Sequence, residues 1–402
     1  MDKTVAVIGA LDTKRDDLLF IRDRLSRAGH KVLLIDTSVV GSSGAQADIT
    51  AGEIVEAAGG QLAALREKHD RGAAIASLCA GMPAVARKLL AEKRIHGIIA
   101  LGGGAGTAVG TAAMRALPLG FPKVMVTTMA SGVTRGYVED KDIVLFPSIV
   151  DIAGVNAVSS RIYANAVGAM SGMLEVEPQP RRAGKALALT MYGNTTPVVE
   201  RCKAQVLRQG YEALVFHANG VGGQALENLI AEGMVDGVMD ITTTELADEL
   251  VGGEASAGPG RLEAAGLRGL PQVVVPGCMD MVNFFAASGR HRAYQGRRTC
   301  QWNPEVILMR TTPEENRALG ETMARKLNAS SGKTAVALPL QGLSMLDAVG
   351  EAFWWPEADQ ALFAGLKDTL APRVKVVELD CHINDPLFAD MVVREFFELT
   401  AN

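Results

Sequence analysis

The 402-residue sequence is poor in aromatics, at 5%, and carries only five cysteines. Cys79, Cys202, Cys278, Cys300 and Cys381 are odd in number and form no C-x-x-C pair, which excludes a disulfide framework and a zinc-finger spacing. A reducing, cytoplasmic location is expected. Metal ligation by Cys278, Cys381 and His382 stays open, with no spacing to support it. Forty Lys and Arg stand against 45 Asp and Glu, for a net charge of -5, without a run of like charge. Nothing global therefore favours nucleic acid or an anionic membrane as partner. The N-terminus enters an apolar strand with no signal-peptide core, and no apolar stretch is expected to reach the roughly 20 residues of a membrane span. Small molecules or protein are the expected partners.

Two nucleotide motifs are also missing. Gly332-Lys333-Thr334 imitates the end of a P-loop, but Leu327 stands where that motif requires glycine, and the residues that follow read as a strand. The dinucleotide fingerprint G-x-G-x-x-G should follow the first strand, where the chain reads Gly9-Ala-Leu-Asp-Thr-Lys14. An NAD-dependent dehydrogenase is left with the fold class as its only support.

What is present is 48% hydrophobic residue content and 43 glycines, in a chain whose length predicts two domains at roughly 100–200 residues each. Short β-branched apolar runs alternate with amphipathic stretches throughout, the pattern of βα units on a parallel sheet. The fold class is α/β, with two Rossmann-like three-layer subdomains. In the first half the runs are 4–9, 31–36, 97–101, 123–128 and 143–146, giving five strands. A helical pattern spans 71–93, in which Pro83 should kink the helix or start a second segment. Another helix is expected from about 156 to 174. Residues 1–175 form the first domain, 176–184 are a Pro- and Arg-containing linker, and 185–402 form the second. Its apolar runs lie at 185–191, 213–216, 237–241, 272–275, 305–310, 334–338 and 374–379, read as another doubly wound sheet.

The strongest local signal is Gly97-Ile-Ile-Ala-Leu-Gly-Gly-Gly-Ala-Gly-Thr-Ala-Val-Gly110, a buried strand running through a glycine loop into a helix. Gly102, Gly103, Gly104 and Gly106 let backbone amides approach a phosphate at a helix N-terminus, and Thr107 could add a hydroxyl. The alternative is a tight strand-to-helix turn. Other strand ends should converge on the same edge of an open parallel sheet. Asp12, Thr13 and Lys14 follow the first strand, Asp36 ends the second in a position suited to ribose hydroxyls, and Thr128, Ser131 and Gly132 follow the fourth. Lys14 could meet a phosphate as a point charge. Asp12 and Ser131 are either ligands or helix caps. Asp151 with Asn156 reads as a magnesium or base contact, or equally as a cap.

The second half offers His217-Ala-Asn-Gly-Val-Gly-Gly223, Asp240-Ile-Thr-Thr-Thr-Glu245, Gly277-Cys-Met-Asp280 and Asp380-Cys-His382 at strand ends. His217 or His382 near Glu245 or Asp280 could do acid/base work, and the glycines after Asn219 could hold an anion. Structural hydrogen bonding of the histidines and helix capping by the acids are the competing readings.

Taken together, Leu11-Asp-Thr-Lys14, Ile98–Thr107, Met129-Ala-Ser-Gly132, Val150-Asp-Ile-Ala-Gly-Val-Asn156, Asp240–Asp248, Asp280-Met-Val-Asn-Phe284 and His382-Ile-Asn-Asp385 resemble the Tm-1-like ATP-binding domain family nearly end to end. The resemblance implies two Rossmann-like subdomains, a homodimer, and an ATP site in the first subdomain with Asp12, Thr13, Lys14 and 102–107 as contacts. It brings no established reaction. The chain departs from the family pattern at Trp302-Asn303 and at Asn219, both in the second half. The expected protein binds ATP, with Mg²⁺ brought by the nucleotide. If it is an enzyme, it activates a small acidic metabolite, with Lys14 stabilising the transferred phosphate. The rival is a non-catalytic ATP-sensing interaction protein.

Overall fold

The computed structural model describes residues 3–41, 47–177 and 184–401. Most of the stretch 176–184 expected to be a linker, residues 178–183, lies outside them. The chain divides into two compact units, 1–180 and 181–402.

In the first unit the strands are β1 (Thr4–Gly9), β2 (Lys31–Asp36), β3 (Gly97–Gly102), β4 (Lys123–Thr127) and β5 (Val144–Pro147). They form one sheet in the order β2-β1-β3-β4-β5, and every pairing is parallel. The helices are α1 (Leu11–Arg27), α2 (Ala51–Ala57), α3 (Leu62–Glu67), α4 (Arg71–Ala91), α5 (Gly104–Arg115), α6 (Arg135–Val138) and α7 (Ser159–Glu175). Side chains alternate across the strand, so Ala6 and Ile8 of β1 pack in the core under α2, α4 and α5, while Val5 and Val7 pack under α1 and α7. This two-faced burial is why the strand sequences read as continuous apolar runs.

Three sequence readings are corrected here. α4 runs as one helix of 21 residues with Pro83 inside it, so no second segment starts there. It is also long and apolar enough to cross a membrane by length and composition, against the expectation that no stretch would be; here it packs on α2, α3 and α5. The short helices α2 and α3 were not foreseen, since six or seven residues are too few to display a period.

The second unit contains β6 (Ala186–Met191), α8 (Thr196–Arg208), β7 (Glu212–His217), α9 (Val221–Ala231), β8 (Gly237–Thr242), α10 (Thr244–Val251), α11 (Ala264–Leu267), β9 (Gln272–Gly277), β10 (Met281–Phe285), β11 (Thr299–Asn303), β12 (Val306–Arg310), α12 (Pro313–Asn328), β13 (Thr334–Pro339), α13 (Pro356–Thr369), β14 (Lys375–Leu379) and α14 (Pro386–Thr400). Six strands make a parallel sheet in the order β14-β13-β9-β8-β6-β7. The run at 305–310 does not join it. As β12 it pairs antiparallel with β10 and β11 in a separate three-stranded sheet. Read from β7 inward, the large sheet repeats the order of the first unit, with β6 in the place of β1 and β8 in the place of β3.

In such a sheet the chain leaves the first strand in one direction and returns on its other side, so the crevice opens between the carboxyl ends of β1 and β3, and of β6 and β8. Close packing of α5 on β3 sets the geometry of the first crevice. A Cβ on Gly110 would lie 2.6 Å from Ala100 Cβ and 3.1 Å from Met125 Sδ. Gly110→Ala is therefore expected to destabilise the first unit by about 1–3 kcal/mol through overpacking. Urea denaturation checks this, and an unchanged midpoint would contradict it.

Candidate functional site

At the ends of β1 and β3 lies a cavity of about 390 Å³, lined by Asp12, Thr13, Lys14, Arg71, Gly103 and Gly104 among others. One wall is the segment after β2, clamped by Arg66, whose guanidinium donates to the carbonyls of Ser38, Val39 and Gly41. The opposite wall is the first turn of α5. Gly104, Ala105 and Gly106 open that helix, so their amides have no intrahelical acceptor.

The four glycines of this loop divide into two kinds. A Cβ on Gly102 would come within 2.6 Å of Gly106 Cα, and one on Gly106 within 3.2 Å of the Leu101 carbonyl. Those two glycines are demanded by the tight turn. A Cβ on Gly103 would meet only Thr128 Oγ1 at 3.6 Å, and one on Gly104 nothing closer than Tyr137 Oη at 3.9 Å. Neither has a positive φ. Packing therefore leaves Gly103 and Gly104 unexplained, and both face the cavity.

The remaining sequence candidates of this unit separate. Lys14 lines the cavity while its ammonium donates to the Ile152 carbonyl at 2.6 Å, and its backbone interrupts α1 with φ -133° and ψ 28°. Asp12 sits in the first turn of α1, its carboxylate accepting from the Gly41 amide at 3.3 Å. Asp36 is buried and does not line the cavity. Its Oδ1 accepts from the Leu11 amide and from the amide and hydroxyl of Ser38, so it caps α1 across the sheet. Thr107 is also buried, its hydroxyl donating to the Gly103 carbonyl and lying 2.6 Å from Thr127 Oγ1, which holds the loop in place. Asn156 caps α7 through the amides of Val158 and Ser159. Thr128, Ser131 and Asp151 belong to a separate hollow at the ends of β4 and β5, and Gly132 lies in the turn beside it, donating to the Met129 carbonyl. Arg71, at the mouth of the first cavity, was missed. A lone arginine opening a helix has no sequence signal.

In the second unit the glycines after Asn219 already hold an anion. Glu245, fully buried at the start of α10, accepts from the amides of Gly220 at 2.7 Å and Gly223 at 3.0 Å. Arg261 donates to Glu245 at 2.6 Å and to both oxygens of Asp240, and all three side chains are buried. Glu245 is thus a structural partner, and a Cβ on Gly223 would overlap its carboxylate. His217 stacks on Tyr192, with ring centroids 5.3 Å apart, and desolvation lowers its pKa. His382 accepts the Asn384 amide on Nδ1, so Nε2 carries the proton and donates to the Ser344 carbonyl. Among the described residues no hydrogen bond joins either histidine to Glu245 or Asp280, and no group of His, Cys, Asp and Glu is arranged to hold a metal.

The geometry now stands beside what is known of similar chains. Residues 3–179 match the model of the Uncharacterised protein family (UPF0261) N-terminal domain, and residues 184–400 match that of its C-terminal domain. The chain belongs to the UPF0261 family. A UPF0261 protein of Clostridium tetani is 43% identical over 99% of both chains, and one of Rhizobium meliloti is 41% identical over 99% of both. A tomato protein, the ToMV susceptible protein tm-1(GCR26) of Solanum lycopersicum, is 38% identical across 98% of this chain, which spans 56% of that protein's length. The Tm-1-like resemblance of the sequence is thereby confirmed. Among solved structures, a UDP-N-acetylglucosamine 2-epimerase of Rickettsia bellii aligns at 10% identity and a TM-score of 0.22 over 68% of this chain and 78% of that one. So distant a likeness carries no functional argument.

Asp280 is buried under Arg310, Asp347 and Asp359, with Oδ2 accepting from the Ser344 hydroxyl at 2.7 Å and Oδ1 without a partner. Burial first, and the Asp347 carboxylate second, push its carboxyl above the usual range. A carboxyl raised in the folded state keeps its proton where the unfolded chain has lost it. Its contribution is complete below the unfolded value near about 4 and is lost as the pH rises through the folded value. The melting temperature of the wild type should therefore fall more between about pH 5 and about pH 8 than that of Asp280→Asn. A wild-type-to-variant difference constant across that range would contradict this.

Proposed function

We propose that the first unit of this UPF0261 chain binds a nucleotide by its phosphates in the cavity between β1 and β3, with ATP as the expected ligand and Mg²⁺ arriving with it. The observation that carries the reading is the pair Gly103 and Gly104. Neither packing nor backbone conformation demands glycine there, and both border free helix-terminal amides at the mouth of a cavity that also holds Lys14 and Arg71. Amides at a helix N-terminus carry about half a positive charge and bind anions in this geometry. Two cations add to it. Among the described residues Arg71 has no carboxylate partner, and Lys14 bonds only a neutral carbonyl.

Asp36, expected beside the ribose, is instead the cap of α1, so the ribose is left to Asp12 and to the wall after β2. The second unit supports no comparable phosphate site in its glycine stretch, because Glu245 already occupies those amides.

Gly104→Val combined with Lys14→Ala tests the reading. Gly104 has room for a side chain, so Gly104→Val alone should keep the wild-type melting temperature, while the affinity of the double variant for Mg·ATP in calorimetric titration falls at least about 10-fold, or about 1.4 kcal/mol. Unchanged affinity would overturn the proposal.

A further inference from the structure

The hollow at the ends of β4 and β5 is distinct from the phosphate cavity and has a different chemistry. Its volume is about 430 Å³, and Thr128, Ser131, Ser148 and Asp151 supply its polar side chains beside the engaged Thr127. Among the described residues the hydroxyls of Thr128, Ser131 and Ser148 have no hydrogen-bond partner. Ser148 is the telling one, because the residue lines the hollow although it is only 2% exposed. Asp151 keeps Oδ2 free, while Oδ1 accepts the Ile152 amide at 2.8 Å. Among the described residues no cation lines the hollow.

The backbone here is held in a costly form. Val150 N–H donates to the Ser148 carbonyl at 2.7 Å, closing a three-residue turn about Ile149, whose φ is 64°. A γ-turn with positive φ at its centre is rare, and more so on a β-branched residue. Strain of this sort persists where the surroundings over-determine it, and it concentrates at ligand sites. The surroundings do so. Ser148 N–H is bonded to the Thr127 carbonyl at 3.0 Å, the Ile152 carbonyl to Lys14, and Gly154 N–H to Asp17 at 3.0 Å. The turn leaves Ile149 77% exposed at the rim.

We propose that this hollow is a second ligand site, for a small polyhydroxylated molecule of the polyol or open-chain sugar class. Three free hydroxyls can donate to or accept from ligand hydroxyls, and the Asp151 carboxylate accepts from one of them. The absence of any lining cation argues against the acidic metabolite expected from the sequence, whose charge would face Asp151 unopposed. The two sites adjoin, since a Cβ on Gly103 would lie 3.6 Å from Thr128 Oγ1.

Erythritol, ribitol and glucitol are to be titrated separately into ¹⁵N-labelled full-length protein, with ethanolamine as a cationic control. At least one polyol should shift the amides of Thr128, Ser131, Ile149 and Asp151, and Asp151→Asn or Ser131→Val should weaken that binding at least about 10-fold. Shifts from none of the three polyols, shifts from ethanolamine alone, or binding untouched by both substitutions would overturn the proposal. Mg·ATP affinity, measured on the same wild-type sample as the polyol titrations, separates the two readings. Retained ATP binding with no polyol response refutes the second site alone, and polyol binding without ATP binding refutes only the nucleotide reading.

Discussion

The amides in the first turn of a helix have no acceptor within the helix, and a helix that begins beside the carboxyl edge of a parallel sheet must find one elsewhere. This chain meets that constraint in several ways. α1 takes the Asp36 carboxylate from the neighbouring strand, α7 takes the Asn156 side chain, and α9 takes Glu245 from the start of α10. α5 alone among these begins with glycines at a cavity, with no side-chain cap. The site proposed for nucleotide is thus defined by contrast with its neighbours as much as by its own residues.

The two units share a strand order, and the comparison sharpens the contrast. Where the first unit places Gly104 and Ala105 after β3, the second places Thr244 and Glu245 after β8. A buried glutamate, locked by Arg261 and by two backbone amides, fills in the second unit the kind of place that glycines leave open in the first. Removing a partner from so buried a charge network is costly, so this end of the second unit is built for rigidity. The strained turn at Ile149 is the opposite case. There the first unit holds hydroxyls and a carboxylate open beside its cavity, with Lys14 and Asp17 of α1 anchoring the loop that carries them.

Much of this was legible in the sequence, and the failures have physical causes. All five strands of the first sheet were readable, β1, β3 and β4 because they are buried along almost their whole length and apolar throughout, and the partly exposed edge strand β5 by its apolar residues alone; the glycine loop was readable because four glycines in five residues exceed what a turn requires. Asp36 was misjudged because a strand-end carboxylate serves a ribose or a helix end equally well, and only Leu11 and Ser38, distant in sequence or hidden in a turn, decide between them. The glycines after Asn219 looked like an anion site and are one, but the anion is the chain's own. Nothing local to residues 217–223 reveals Glu245 or Arg261. β10 and β11 escaped because a short antiparallel sheet lacks the βα rhythm by which the others were found.

The most direct measurement is a titration of ¹⁵N-labelled protein with Mg·ATP, following the glycine amides of both loops together. The account predicts saturable shifts at Gly103, Gly104, Ala105 and Gly106, with Gly220 and Gly223 unmoved because Glu245 already satisfies them. Shifts confined to Gly220 and Gly223, or no shift in either loop at saturating nucleotide, would contradict it.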